Sequence, residues 1–110
     1  MLPAVHGNVT LIKGWFDQTL PPFLAAHPDP VSFLHIDCDT YSSTKTILDM
    51  LFPRLRVGTV ILFDEYFGYR GWRHEEWKAW QEYVSTKNIS YEYIAYSNAQ
   101  VGLLVKAIPE

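Results

Sequence analysis

The chain has 110 residues, a net charge of -3 and a hydrophobic fraction of 48%. This size suits one domain, and this hydrophobic fraction is too high for a disordered chain. The acidic balance argues against a nucleic-acid partner, because phosphate binding needs a basic face. A single cysteine excludes an internal disulfide framework, and no apolar run reaches the roughly 20 residues of a membrane span. We expect a soluble, cytoplasmic α/β protein without a membrane partner.

The first half of the chain alternates strand-like and helix-like segments. β-rich and apolar runs predict the strands, and N-cap residues followed by apolar positions at helical spacing predict the second helix. The predicted elements are a strand at 8–13 closed by Gly14, a short helix with Pro21 and Pro22 at its first positions, a strand at 31–36, and a helix that starts in the N-cap-rich run at 40–44 and runs to about 55. Pro53 lies within this last pattern and predicts a kink or an early end there.

The second half continues this alternation and ends in two strands. The predicted elements are a strand at 59–63, an aromatic loop at 66–72, a helix from 73 to about 86 closed by Asn88, and strands at 91–96 and 100–108 that form a hairpin. Alternation of this kind predicts a parallel α/β sheet with right-handed crossovers and an antiparallel edge.

Acidic residues follow the two most apolar strands. Asp37 and Asp39 come after the strand at 31–36, and Asp64 and Glu65 come after the strand at 59–63. Parallel neighbours would deliver all four to the carboxyl edge of the sheet, where open α/β sheets bind ligands. Carboxylates that lie so close repel one another unless a proton or a cation intervenes. Oxygen ligands suit Mg, Ca or Mn, so the pattern predicts a divalent metal site.

Structural roles compete with function at several of these positions. Asp39 could cap the following helix, and Glu65 could simply be solvated. His35, which lies within an apolar run, is expected to be a core histidine. Cys38 lies between two acids, which disfavours a thiolate nucleophile. Trp77 and Trp80 are expected to belong to the core.

Two aromatic segments lie near the same sheet edge. Gly14, Trp15 and Phe16 follow the first predicted strand, where an aromatic side chain could stack on a flat ring and glycine permits close backbone approach. A turn glycine and a core tryptophan explain that segment equally well. The loop at 66–72 could wall a substrate pocket or pack a subunit interface, and the sequence leaves both open.

Four stretches of the chain carry a family resemblance: LIKGWFDQTLP, HIDCDTYSSTKTILDMLFPRL, VILFDEYFGY and AYSNAQVGL. Together they resemble the C-terminal half of a class I S-adenosylmethionine-dependent methyltransferase of the macrocin O-methyltransferase-like group. That group methylates hydroxyls of sugars and natural products. The resemblance covers nearly the whole chain.

The resemblance implies roles for particular residues. Asp37, Asp64 and Glu65 match the acids that bind a divalent metal, with Mg expected, and Asp37 also matches the candidate catalytic base. Gly14, Trp15, Phe16 and Asp37 match the segments that lie beside the cofactor, S-adenosylmethionine. The acceptor implied is a small molecule that carries a hydroxyl group.

The chain also departs from the family pattern. It contains no glycine-rich Gly-x-Gly loop, and the acid that would hold the ribose hydroxyls should lie upstream. We therefore expect residues 1–110 to be a partial class I domain that lacks the cofactor-binding N-terminal half. The alternative is a non-catalytic truncated remnant that acts as an interaction module. A flavodoxin-like or receiver-like phosphate site is disfavoured by the acidic strand ends.

A missing half would expose the strand at 31–36. In the family sheet, two strands that are absent here separate it from the strand matched by residues 8–13. Residues 8–13 must then stay unpaired, pair elsewhere or dock into the vacancy. If they do not dock beside this strand, the exposed edge should cause self-association.

Overall fold

The computed structural model describes residues 2–109 and shows an α/β chain. Its elements are helix α1 (Phe16–Ala26), strand β1 (Phe33–Ile36), helix α2 (Tyr41–Leu51), strand β2 (Val60–Phe63), helix α3 (Glu76–Lys87), strand β3 (Ser90–Ser97) and strand β4 (Gln100–Ala107). Short 3-10 turns occupy Phe52–Arg54 and Trp72–His74. Across residues 2–109, every helix is too short or too polar to span a bilayer.

The strands form one sheet in the order β1-β2-β4-β3. β1 and β2 are parallel, whereas β4 is antiparallel to both β2 and β3. The predicted fold class is therefore confirmed: a parallel pair with an antiparallel C-terminal hairpin. β2 lies in the interior of the sheet, between β1 and β4. Its backbone pairs on both sides, and Ile61 and Phe63 are fully buried.

The core lies between the sheet and the helix pair α2 and α3. Trp80 is fully buried, as predicted, and its ring centroid lies 5.7 Å from that of Phe63 on β2. Leu48 of α2 and Leu103 of β4 are also fully buried. Trp77 packs against the edge of this core and is only partly buried. A single continuous core therefore joins α2 and α3 to the sheet.

The predicted strand at 8–13 is wrong. These residues form no strand in the described part of the chain, and Val9, Leu11 and Ile12 are exposed. A backbone hydrogen bond from Val9 N to His6 O makes a turn there instead. An extended segment needs a neighbouring strand to satisfy its N–H and C=O groups, and none lies beside this one.

The predicted starts of α1 and α3 need correction, whereas α2 starts within the predicted N-cap run and ends early, as Pro53 predicts. α1 begins at Phe16, so Pro21 and Pro22 lie inside it rather than at its start. α2 begins at Tyr41, because the Thr40 hydroxyl accepts a hydrogen bond from Ser43 N at 3.3 Å, and it ends at Leu51. Pro53 then lies in the following 3-10 turn, because proline cannot donate to the helical ladder.

α3 begins at Glu76 rather than at residue 73, because residues 72–74 form their own 3-10 turn. Gly71 precedes this turn with φ of 84°, a left-handed conformation that suits glycine. Asn88 ends α3 in the same conformation, with φ of 57°, as predicted.

The buried carboxylate of Glu76 joins the loops that follow β1 and β2. One oxygen, Oε2, accepts from the backbone N–H of Asp39 at 3.2 Å, and Oε1 accepts from the backbone N–H of Glu65 at 3.0 Å. The side chain is fully buried, and burial raises the pKa of Glu76 to about 7. This bridge sets the spacing of the two loops that carry the acidic residues.

We expect Glu76→Ala to lower the free energy of unfolding by about 2 kcal/mol, because two partly buried N–H groups lose a carboxylate acceptor. Urea denaturation of the purified chain measures this loss. The matched control is Glu92→Ala on β3. The Glu92 carboxylate is exposed and lies 3.7 Å from Lys106 Nζ, so its loss should cost at most about 0.5 kcal/mol. Equal losses in the two variants would contradict a bridging role for Glu76.

β1 is an edge strand with a free side. Its backbone pairs with β2 alone, and Phe33 is 58% exposed. The expectation that residues 8–13 dock beside β1 is wrong, because that segment forms no strand. The edge therefore stays open within residues 2–109. An unpaired apolar edge is a template for pairing with another chain.

We predict that the isolated chain self-associates through β1 and that Phe33→Lys reduces this association. A lysine on an edge strand disfavours strand addition by its charge and desolvation cost. The control is Val57→Lys, which places the same charge at an apolar loop residue that is 65% exposed. Size-exclusion chromatography with light scattering measures the mass. A monomeric wild-type chain at all concentrations would refute self-association.

Candidate functional site

Three side chains that can bind metals meet at the carboxyl end of β1 and β2. One potential ligand atom from each of His35, Asp37 and Asp64 lies within 4.8 Å of the others. The parallel register pairs Ile36 with Phe63, and Asp64 N donates to Ile36 O at 3.0 Å. Because the two strands end side by side, Asp37 and Asp64, two of the four acids predicted to gather here, are brought together.

Asp64 is oriented by a residue from another strand. Gln100, the first residue of β4, donates from Nε2 to Asp64 Oδ1 at 2.6 Å. His35 Nε2 lies 3.5 Å from the same oxygen. The hydrogen bond from Gln100 lowers the pKa of Asp64. Asp64 is thus held as an anion between an amide and an imidazole.

Asp37 is the better proton acceptor of the acidic pair. Its hydrogen bond with Asp64 raises the pKa of Asp37, and the neighbouring negative charges of Asp64 and Asp39 act in the same direction. A carboxylate with a raised pKa takes a proton more readily than an ordinary aspartate. The pair therefore combines one fixed anion with one stronger base.

The other two acids of the predicted cluster occupy different positions. Within residues 2–109, Glu65 is not among the side chains that converge with Asp37 and Asp64. Its backbone N–H bonds to Glu76, and the charge of Asp39 raises the pKa of its carboxyl group. Asp39 does not cap α2, because Thr40 does. The φ of Asp39 is 67°, so the strand does not continue through it.

The expectation that His35 is a core residue is wrong. Side chains alternate across a strand, and here Ile36 points into the core whereas His35 is exposed on the other face. Within residues 2–109 this face of β1 is exposed at Phe33 and His35, so the imidazole can reach the acidic cluster. Cys38, in contrast, is partly buried against Thr44 at 3.3 Å, and burial raises the pKa of its thiol.

The segment around Gly14 forms the start of α1 and one wall of a small cleft. A Cβ atom at Gly14 would lie 2.6 Å from Thr19 Cγ2, and its φ is 145°, so a side chain there would be strained. Trp15 is 76% exposed and is not a core residue. Trp15 and Phe16 line a cleft of about 260 Å³ together with Ser42 and other residues of α2. Asp37 does not line this cleft.

The aromatic loop at 66–72 borders a larger cleft of about 630 Å³ at the β3-β4 hairpin. Tyr66, Phe67 and Trp72 line it together with Trp77 and residues of the β3-β4 hairpin. Tyr69 does not line it, because its hydroxyl donates to Glu65 O at 3.0 Å. The loop therefore walls a cleft, and its predicted roles in a substrate pocket or a subunit interface stay predictions.

Three functional-site residues are missing from the sequence-based set: His35, Glu76 and Gln100. His35 has a recognisable signal, since it lies two residues before Asp37 in a strand and so shares its face. Glu76 and Gln100 carry no such signal. Their partners lie 37 and 36 positions away in the chain, and only the tertiary fold pairs them.

Comparison with known proteins gives a consistent family. Residues 2–66 match the model of the methyltransferase domain. The chain is 38% identical over 59 residues to demethyldecarbamoylnovobiocin O-methyltransferase of Streptomyces niveus. It is 36% identical over 59 residues to 8-demethyl-8-(2,3-dimethoxy-alpha-L-rhamnosyl)-tetracenomycin-C 4'-O-methyltransferase of Streptomyces olivaceus. Each match covers 54% of this chain, and 21% and 22% of the respective relatives.

Solved structures support the same fold. The O-methyltransferase NovP superposes with a TM-score of 0.68 and 29% identity, over 86% of this chain and 36% of its own. CalS11, a TDP-rhamnose 3'-O-methyltransferase, superposes with a TM-score of 0.68 and 24% identity, over 84% of this chain and 39% of its own. The chain thus spans about a fifth of the curated relatives and less than half of these structures. With more than half of its residues matched by the family model, the chain belongs to the methyltransferase domain family, and the resemblance to class I enzymes is confirmed.

Proposed function

We propose that this chain is part of an S-adenosylmethionine-dependent O-methyltransferase that acts on a hydroxyl of a sugar or natural-product-like small molecule. The observation that carries the proposal is the convergence of Asp37, Asp64 and His35 at the carboxyl end of β1 and β2. Family membership and the printed activities of the two Streptomyces relatives support it.

The reaction needs a base beside the acceptor hydroxyl. S-adenosylmethionine, when bound, would supply the methyl group from its sulfonium, and the acceptor hydroxyl would give up its proton to a base of this chain. Asp37 is proposed as that base: without a bound cation Asp64 raises its pKa and makes it the stronger proton acceptor of the pair, whereas a cation bound to the same carboxylate would lower that pKa. Gln100 keeps Asp64 fixed beside it and so preserves the geometry.

A divalent metal fits this set of side chains. The carboxylates of Asp37 and Asp64 and the imidazole of His35 each offer one ligand atom, and these atoms lie within 4.8 Å of one another. Glu65, which directly follows Asp64, is a further acid. When bound, such an ion would lower the pKa of the acceptor hydroxyl. Asp37, Asp64 and Glu65 are the proposed Mg ligands. If the imidazole of His35 were the third ligand instead of Glu65, the site would favour a transition metal over Mg.

A metal-free arrangement of the same residues is the competing mechanism. His35 Nε2 lies 3.5 Å from Asp64 Oδ1, so Asp64 could orient the imidazole as a general base in place of Asp37. Loss of activity in His35→Gln, with no response to chelators, would favour this arrangement. Loss of activity on chelation favours the metal.

The cleft of Trp15 and Phe16 is the proposed place for part of the cofactor. Trp15 presents an exposed aromatic face, and Gly14 allows the backbone to enter α1 without a clash. Asp37 would contact the cofactor from the neighbouring strand end. These residues supply aromatic and hydroxyl surface, with Ser42 and Ser43 on the opposite wall.

We propose further that residues 1–110 are a partial class I domain whose cofactor-binding N-terminal half lies outside the chain. The short coverage of every relative and the free side of β1 support this. The free side of β1 also supports the second candidate function, a non-catalytic interaction module. The cytoplasmic location stays a prediction.

The metal should stabilise the fold through linkage. We expect millimolar Mg or Mn to raise the melting temperature of the wild-type chain and to have no effect on Asp64→Asn, which removes one charged ligand. Asp49→Asn is the control, because Asp49 is an exposed partner of Lys45 on α2 and should keep the response. A melting temperature that is indifferent to both ions in the wild-type chain would count against the site.

The cofactor should bind this chain weakly. We expect S-adenosylmethionine not to saturate the chain at about 1 mM in calorimetry, because only the small cleft at α1 and α2 is present to hold it. Micromolar affinity would overturn the partial-domain proposal. A second experiment supplies the missing half as a separate chain and measures methyl transfer to sugar hydroxyls. If cofactor binding is restored but no methyl transfer occurs, the result would favour the interaction module.

A further inference from the structure

The cleft at the β3-β4 hairpin, with a volume of about 630 Å³, is lined mainly by aromatic rings. Within residues 2–109, no charged side chain lines it. The cleft therefore lacks both the cationic side chains that bind anions and the carboxylates that bind metal ions. Its rings come from the loop at 66–72, from α3 and from β3, and they are Tyr66, Phe67, Trp72, Trp77, Tyr93 and Tyr96.

Contacts among these rings hold them in fixed orientations. Trp72 and Trp77 pack edge to face with ring centroids 5.3 Å apart. Tyr66 Oη lies 2.7 Å from Tyr93 Oη, and Gln81 Nε2 donates to Tyr66 Oη at 3.1 Å. Rings that are already restrained lose little conformational freedom when a ligand binds, so the cleft is preorganised.

An irregularity in β3 accompanies the aromatic wall. Successive side chains of a regular strand point to opposite faces, yet four consecutive residues of β3, 93–96, line the cleft. The pairing of β3 with β4 shifts register between Tyr93 and Ala95, and this shift interrupts the alternation. Bulges of this kind re-aim side chains and are common beside binding sites.

The electrostatics of the rings favour a cation in this cleft. The face of an aromatic ring is the negative part of its quadrupole, and it attracts an ammonium group within about 6 Å of the ring centroid. One ring of the cleft already holds a cation, because Cζ of Arg73 lies 4.9 Å from the centroid of the Trp72 ring. The net charge of -3 adds a weaker attraction at longer range.

We propose that the aromatic cleft is a second ligand site, which binds the quaternary or N-methylated ammonium group of a small molecule. The methyl groups of such a cation contact the rings while its charge interacts with their faces. A metal ion needs several free oxygen ligands, whereas the hydroxyls of Tyr66 and Tyr93 bond to each other. The inference is independent of the proposed function, because the acids that carry that function do not line this cleft.

The test compares choline with 3,3-dimethyl-1-butanol, because the two molecules have nearly the same shape and differ in charge. We expect choline to bind the chain at least about tenfold more tightly, measured by calorimetry and by tryptophan fluorescence. Tyr96→Leu keeps an apolar side chain but removes the ring, so it should weaken choline binding roughly threefold to tenfold, whereas Tyr96→Phe should bind choline as the wild type does. Tyr96 is 80% exposed, so both variants are expected to fold.

Phe33→Leu is the control, because it removes an exposed ring from the far edge of the sheet and should keep the wild-type affinity for choline. Equal affinity for the two molecules, equal loss of choline binding in Tyr96→Leu and Phe33→Leu, or a choline-independent dimer that Tyr96→Leu dissociates would overturn the proposal. Loss of choline binding in Asp64→Asn would overturn it too, because the cation would then lie at the acids. These measurements need neither metal nor S-adenosylmethionine, so their failure would leave the proposed function standing.

Discussion

The arrangement of the site depends on one buried carboxylate. Glu76 begins α3 and accepts backbone hydrogen bonds from Asp39 and Glu65, one from each of the loops that follow the parallel strands. A buried charge is costly unless its hydrogen bonds are satisfied, and burial accordingly raises the pKa of Glu76 to about 7. The buried carboxylate is nevertheless useful at this position, because the backbone N–H groups of Asp39 and Glu65 would otherwise lack acceptors. The bridge keeps Asp37 and Asp64 at neighbouring positions.

The position of these acids also depends on the antiparallel hairpin. β4 inserts between β2 and β3, and its first residue, Gln100, bonds to Asp64. The turn before it accepts from the loop after Asp64 through Ala99 O. One hairpin therefore fixes Asp64 through Gln100 and also forms part of an aromatic wall.

Much of the fold could be predicted from local sequence patterns. The apolar runs of β1 and β2, the stripe of α2 and the Asn88 stop of α3 act through short-range periodicity and capping, and the structure has all of them. The strand predicted at 8–13 failed because β propensity cannot supply a neighbouring strand. His35 was misassigned because an apolar run looks buried on both faces, whereas β1 is covered on one.

The residues of the candidate site could be predicted only in part, because some of them depend on contacts between distant parts of the chain. Asp37 and Asp64 follow from two apolar strands that end in acids, since parallel neighbours bring their ends together. Glu76 and Gln100 act through contacts more than 30 positions apart, as in Glu76–Asp39 and Gln100–Asp64, and no local pattern encodes these. The aromatic residues of the loop at 66–72 indicated a wall but not what it encloses.

Anomalous diffraction from crystals of this chain soaked in Mn²⁺ tests the central claim most directly, because it locates the ion without an assay. We predict one strong anomalous peak in direct contact with carboxylate oxygens of Asp37 and Asp64, and no such peak in crystals of Asp64→Asn. A contact from His35 or from Glu65 would identify the third ligand. Mn²⁺ bound only elsewhere, or Asp37 and Asp64 pointing apart in crystals without the ion, would contradict the convergence on which the proposed function depends.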